Sequence, residues 1–267
     1  MLGKLLKYDF KAVARYLLPI FGLLLISTCG TKLTLELPEN NLVNVFRSVF
    51  IVAYVISLIA IGAGAMIILI LHFYKNLMTD QGYLSFTLPV TPTTHLASKL
   101  INGTIWIAFT VLAIFLSVML LLAGHIGTSE WAVIQDTFAQ LIKELNRIGF
   151  SNGELLFYLI VMPLTGAVGS QITVYFCICA GQLFSGHRII GAFVFYFGVY
   201  VVNQIVQAVL LILNSKSITT LATASDFTEM GTAMGNLITQ SIVFSLLLYI
   251  VLFFASRYLL NHKLNLE

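Results

Sequence analysis

Few residues of this chain are of types that do chemistry, and their spacing rules most of it out. The five histidines, at positions 72, 95, 125, 187 and 262, are scattered. None has the i, i+4 partner that sets two imidazoles on one face of a zinc-protease helix. No glycine-rich loop ends in Gly-Lys-Ser or Gly-Lys-Thr, so the chain lacks the backbone cradle and lysine that hold ATP phosphates. Cys29, Cys177 and Cys179 fall in or beside apolar runs, where a thiol acts as a small packing residue. Cys177 and Cys179 are two apart on a helix, point to different faces, and are not placed to share a metal. No charged residue is expected deep in any membrane span, which argues against an intramembrane Ser-His or paired-Asp enzyme. The expectation is a non-catalytic chain that binds no cofactor and no metal.

Two groups of residues remain as functional candidates. The first lies in His72 to Lys99, HFYKNLMTDQGYLSFTLPVTPTTHLASK, which separates two long apolar runs yet holds Lys75, Asp80 and two prolines. Gly82, Pro89 and Pro92 limit regular helix there, because proline lacks the backbone donor and restricts the residue before it. A short helix and a stiff turn are predicted, with Tyr74, Tyr83, Leu84, Phe86 and Leu88 set among polar residues to dock on a partner at the membrane face. The second group is Gln171, Gln182, Asn203, Gln204 and Gln207. Gln171 and Gln182 share a helix face, and Asn203 and Gln207 are an i, i+4 pair. Polar side chains at membrane depth face protein or a water-filled cavity, so these five are candidates both for a translocation path and for interhelical hydrogen bonds.

The elements that position these residues follow from composition. The chain has 267 residues, 59% hydrophobic and only 9% charged, against roughly 25% charged in a soluble domain. It reads as an integral membrane protein. The apolar runs are continuous, unlike the alternating segments of an outer-membrane barrel, so the fold class is all-α. Six spans are expected: Leu17 to about Leu35, Val49 to Leu71, Leu96 to Leu122, Leu155 to Phe184, Ile189 to Leu213 and Leu237 to Leu260. The fourth is long and is expected to kink or break at Pro163, with Gly166 and Gly169 beyond it. Small residues from Gly62 to Ala65 suit close helix packing in the second.

Three further segments are patterned. In Met1 to Tyr16, Lys4, Lys7, Lys11 and Arg15 recur on one side and Leu6, Phe10, Val13 and Leu17 on the other. This predicts an amphipathic helix on an anionic membrane surface, or equally an uncleaved signal-anchor that follows the positive-inside rule. A lipoprotein signal at Cys29 fits poorly, since Thr28 is large for the residue before cleavage. Within the soluble segment 126–152, Trp131, Ile134, Phe138, Leu141, Leu145 and Ile148 recur every three or four residues, predicting an interfacial helix rather than a span. Asn214 to Gly235 is polar and suits a short helix or re-entrant piece.

Charge orients the chain. With the N-terminus inside, Lys4, Lys7, Lys11, Arg15, Lys75, Lys99, Arg188, Arg257 and Lys263, nine of the fourteen basic residues, fall on the cytoplasmic side. Only Asp9, Asp80 and Glu267 oppose them there. The basic excess predicts N-in and C-in, and it puts the 74–93 loop in the cytoplasm.

At these residues the chain resembles a known family. The N-terminal basic helix, six spans, and an inner loop carrying D-Q-G-Y-L-S-F-T-L-P-V-T-P from Asp80 to Pro92, followed by Leu96, Ser98, Lys99 and Leu100, resemble the ABC-2 type permeases of bacterial ABC transporters. The likeness is to the small permeases of Firmicutes for peptide or antibiotic export and immunity. It implies a permease in the bacterial plasma membrane that pairs with a second permease, like or unlike, and with separate ABC ATPase subunits that hold ATP and Mg. It also implies that Tyr74 to Pro92 contacts those ATPases, through Tyr74, Lys75, Asp80, Tyr83, Leu84, Phe86, Leu88, Pro89 and Pro92, and that residues 1–16 form an elbow helix. Nucleic acid is not an expected partner. The segment Glu130 to Ser151 departs from simple members, which have a short connection there. Two rivals stand beside this expectation. One is a membrane sensor or scaffold that regulates an antibiotic response without transport. The other is a secondary transporter, for which internal repeats and membrane-embedded ionisable residues would be expected.

Overall fold

Seven helices account for nearly all of the computed structural model, which describes residues 2–38, 40–79, 81–82, 90–125, 128–184, 186–215, 217, 219 and 227–262. In chain order they are α1 Leu2–Glu36, α2 Asn41–Met78, α3 Pro92–His125, α4 Thr128–Arg147, α5 Asn152–Gly181, α6 Arg188–Leu213 and α7 Phe227–His262. No strand occurs among the described residues. All but α4 are long and apolar enough to cross a membrane. The protein is an all-α, multi-pass membrane protein.

Several helices exceed the spans their hydropathy marks. At 1.5 Å per residue, the 35 residues of α1 and 38 of α2 run about 52 and 57 Å, against about 30 Å of hydrocarbon. The excess is polar-edged helix at their ends. The N-terminal segment is therefore not a separate element: α1 is continuous from Leu2 through Pro19 to Glu36. Its amphipathic pattern is present within that helix, with Lys4, Lys7, Lys11 and Arg15 exposed and Val13 and Leu17 buried. The stripe that buries Val13 and Leu17 simply runs on to Leu24, so nothing in the packing breaks the helix at Tyr16.

The chain divides into two compact units, Met1–Trp131 and Ala132–Asn265. In the first, α1 and α2 form an antiparallel pair. Asp9 meets His72, the Ser27 hydroxyl lies 2.8 Å from that of Ser57, and Thr31 Oγ1 donates to the Phe50 carbonyl at 3.1 Å, so numbers rise on one helix as they fall on the other. Lys99 meets His72, and Tyr54 lies 3.1 Å from Ser117 through their hydroxyls, which sets α3 antiparallel to α2. Between the two polar ends the core is apolar, with Val13, Leu17, Ala65, Leu69 and Trp106 in one cluster and Leu24, Tyr54 and Ile61 in the next. Phe50 lies directly over Gly30, where any side chain would collide with its ring. Arg47 Nε donates to the Thr34 carbonyl at 3.2 Å, satisfying the C-terminal end of α1.

In the second unit α5 is central and packs on both α6 and α7. Ser151 caps it in a capping box: the Ser151 hydroxyl accepts from Glu154 N at 3.2 Å, and Glu154 Oε2 accepts from Ser151 N at 2.9 Å. The helix runs through Pro163 without a break, so of the kink or break expected there the break is absent. Proline is tolerated in spanning helices because hydroxyls and neighbouring groups can take up the freed backbone positions. The tight α5–α6 connection depends on Gly181, whose missing side chain lets the backbone of Arg188 and Ala192 approach. Helix α4 is amphipathic, with Val133, Phe138, Leu141 and Ile142 exposed.

Candidate functional site

The loop candidates divide between described and undescribed residues. Tyr74 is half-buried near the end of α2 and Lys75 is exposed beside it, its carbonyl accepting from the Thr79 hydroxyl. Helix α2 ends at Met78 with Thr79 extended, and Gln81 and Gly82 are again helical. Pro92 is the first residue of α3, a position where the missing N–H costs nothing and the fixed φ is already helical. Asp80, Tyr83, Leu84, Phe86, Leu88 and Pro89 lie outside the described residues.

The ends of α2 and α3 that bracket this segment are joined by a buried polar cluster. Asp9 of α1 is 5% exposed and Lys99 of α3 is 3% exposed, and the Lys99 ammonium donates to Asp9 Oδ1. The Ser98 hydroxyl donates to Asp9 Oδ2 at 2.9 Å. On α2, His72 Nε2 stands 3.0 Å from the Lys99 ammonium and 3.2 Å from Asp9 Oδ1. An ammonium is donor-only, so Nε2 accepts from it and the lysine bridges carboxylate and imidazole. Asn76, one turn further along α2, lies 3.3 Å from the same ring nitrogen. Carboxylate and ammonium thus compensate each other in a site where a lone charge would be costly.

One turn beyond Lys99 the polarity is not satisfied. Asn102 is 1% exposed, and neither its amide nitrogen nor its carbonyl oxygen has a hydrogen-bond partner among the described residues. Another turn on, Trp106 stacks on Phe10 of α1 with ring centroids 4.6 Å apart, its Nε1 likewise buried without a partner. Ser98, Asn102 and Trp106 are spaced by four, so all three lie on the stripe of α3 that faces α1.

The sequence did not reveal this cluster. Asp9 counts there only toward the charge balance, and Lys99 toward that and the motif of the resemblance; both lie near the ends of their helices and are buried in the protein. The signal was the stripe itself. Asp9 stands one turn before Val13 and Leu17 on the apolar side of α1, and Lys99 lies among Leu96, Asn102 and Trp106 on the buried side of α3.

The intramembrane glutamines are differently placed. Gln171 is buried in α5, where its Nε2 donates to the Ala167 carbonyl at 3.2 Å and its Oε1 accepts from the Tyr175 hydroxyl at 3.4 Å. Gln182 is buried just past the end of α5. On α6, Asn203 and Gln207 are half-buried and Gln204 is exposed.

Comparison of the chain with protein-family models, with curated proteins and with solved structures returns no match. The class defined by fold and site is therefore that of a multi-pass helical membrane protein with a buried ionic joint between its first three spans.

Proposed function

We propose that the chain is the permease subunit of an ATP-driven ABC exporter, moving a peptide, antibiotic or other amphipathic molecule with energy from a separate ATPase subunit. What supports the reading is where the Asp80-to-Pro92 motif stands. Helix α2 leads into it and α3 leads out of it, α2 is far longer than the hydrocarbon is thick, and both are tied to the basic part of α1 through Asp9, His72 and Lys99. A force applied to this loop is delivered to three spans together.

The loop's apolar residues are assigned to a groove on the ATPase, with Pro89 and Pro92 keeping the turn stiff. Truncating an interface anchor costs about 2 kcal/mol or more, whereas an exposed charge pair is worth roughly 0–1 kcal/mol. Leu84→Ala with Leu88→Ala should therefore weaken ATPase co-purification and cargo-stimulated ATP hydrolysis far more than Asp80→Ala does, at equal permease level. Undiminished ATPase binding and stimulation with both leucines replaced would sink the assignment. A sensor or scaffold would instead show partner binding with no ATP-dependent cargo flux in the reconstituted complex.

A further inference from the structure

The basic stripe of α1 takes no part in the ionic joint. Lys4, Lys7, Lys11 and Arg15 are exposed, and none of the four has an ion-pair or hydrogen-bond partner among the described residues. We infer that Lys11 and Arg15 form a phosphate site for an anionic phospholipid, held against the side of an upright helix rather than beneath one lying on the membrane. Steps of three and four residues lead from Lys4 through Lys7, Lys11 and Arg15 to Leu18, Leu25 and Leu33, all exposed. The basic stripe and the apolar, lipid-facing stripe are therefore one face of one helix. Asp9, Val13 and Leu17 are buried on the other side.

The register between α1 and α2 gives the depth. Asp9 meets His72, Ser27 meets Ser57 and Thr31 meets Phe50, which sets Lys11 level with Ile70 and Arg15 level with Ile67. Ile67 and Leu71 are exposed on α2, as are Ile101 and Phe109 on α3. In a spanning protein such side chains meet acyl chains, so Arg15 lies about 6 Å inside the level of Leu71, at 1.5 Å per residue. A guanidinium at that depth reaches back along its own stem to the headgroups. Its planar donors fit a phosphate, and Lys11, one turn nearer the water on the same face, adds a second positive contact. Lys4 and Lys7 stand farther out and attract anionic headgroups through the surface field. An acidic protein surface can approach those two lysines but cannot reach Arg15 among the acyl chains, and this favours lipid as the occupant.

The whole chain, purified in nonionic detergent, can be offered equal amounts of phosphatidylglycerol and phosphatidylcholine and its bound lipids counted by native mass spectrometry. Phosphatidylglycerol should be retained in preference by about tenfold or more, and Lys11→Gln with Arg15→Gln should reduce that preference by about fivefold per charge removed. Melting should be unchanged, since neither side chain holds a partner; Arg15→Gln alone repeats the measurement if the pair melts early. Lys11→Arg with Arg15→Lys keeps both charges and should keep most of the preference. Lys143→Gln with Arg147→Gln, which removes two charges from the exposed face of α4, should leave it intact. Equal preference in the wild type and the Lys11/Arg15 glutamine variant overturns the inference, and so does an equal loss in the α4 variant, which would make net charge the cause. Millimolar inorganic phosphate should not displace the lipid; displacement would make this a site for free phosphate. A loss of ATPase co-purification with lipid preference unchanged would assign the stripe to a protein partner and overturn the lipid site.

Discussion

At Asp9, what a substitution costs depends on what it leaves behind. Asp9→Ala strands the Lys99 ammonium in the interior of the first unit, and breaking one side of a buried ion pair costs about 3–5 kcal/mol. Replacing both partners, Asp9→Ala with Lys99→Met, removes the stranded charge and should recover much of that loss, so the two substitutions are strongly non-additive. Thermal melting in detergent would show it: a double variant no more stable than the Asp9→Ala single would mean that the pair is not coupled as described. Such a pair is hard to read in a sequence because a lysine or aspartate in an apolar neighbourhood counts equally as surface charge. Its burial follows only when α1, α2 and α3 are brought together, and only α3 carries the lysine next to a serine that completes the carboxylate's shell. The loop residues were legible for the opposite reason. Prolines and charges between two apolar runs contrast with their surroundings and need no tertiary information.

Among the helices, close approach decides the second unit. A Cβ built on Gly181 would lie 2.6 Å from the Arg188 carbonyl and 2.7 Å from the Ala192 backbone nitrogen, main-chain atoms that cannot rotate away. Gly181→Ala should therefore push α5 and α6 apart at about 1–3 kcal/mol, the usual cost of overpacking. Gly186, in the connection of the same hairpin, meets nothing within 4 Å, and Gly186→Ala should be close to neutral. Equal melting temperatures for the two variants would contradict the tight hairpin. Hydropathy marked all six spanning helices, and the three-to-four periodicity from Trp131 to Ile148 marked α4, because both signals are local. Helix ends were less legible. Continuation of α1 back to Leu2 and of α7 back to Phe227 lies beyond the apolar window, and Pro163 pointed to a kink or a break because sequence does not show what supports the backbone around it.

For the whole molecule, the sidedness of the loop governs every functional assignment, and the first unit constrains it from within. Asp9, His72 and Lys99 meet, so the N-terminal part of α1, the end of α2 and the start of α3 share one end of that unit. Ser117 pairs with Tyr54 toward the other end, where α3 runs on to His125. Helix α4 is not among the helices long and apolar enough to cross a membrane, and counting crossings along the chain predicts that Gln81 and Asn152 are exposed on opposite sides. The exposed Lys4, Lys7, Lys11 and Arg15 predict that their face is the cytoplasmic one, since basic residues flanking spans are retained inside. Both Gln81 and Asn152 are exposed. Gln81→Cys and Asn152→Cys, each alone in a background without the three native cysteines, should therefore react oppositely with a membrane-impermeant thiol reagent in intact cells, with labelling at position 152 only and position 81 labelling after permeabilisation. Labelling of both from outside would break the count of crossings. Labelling of position 81 alone would keep the count, reverse the orientation, and put the loop where no cytoplasmic ATPase can reach it.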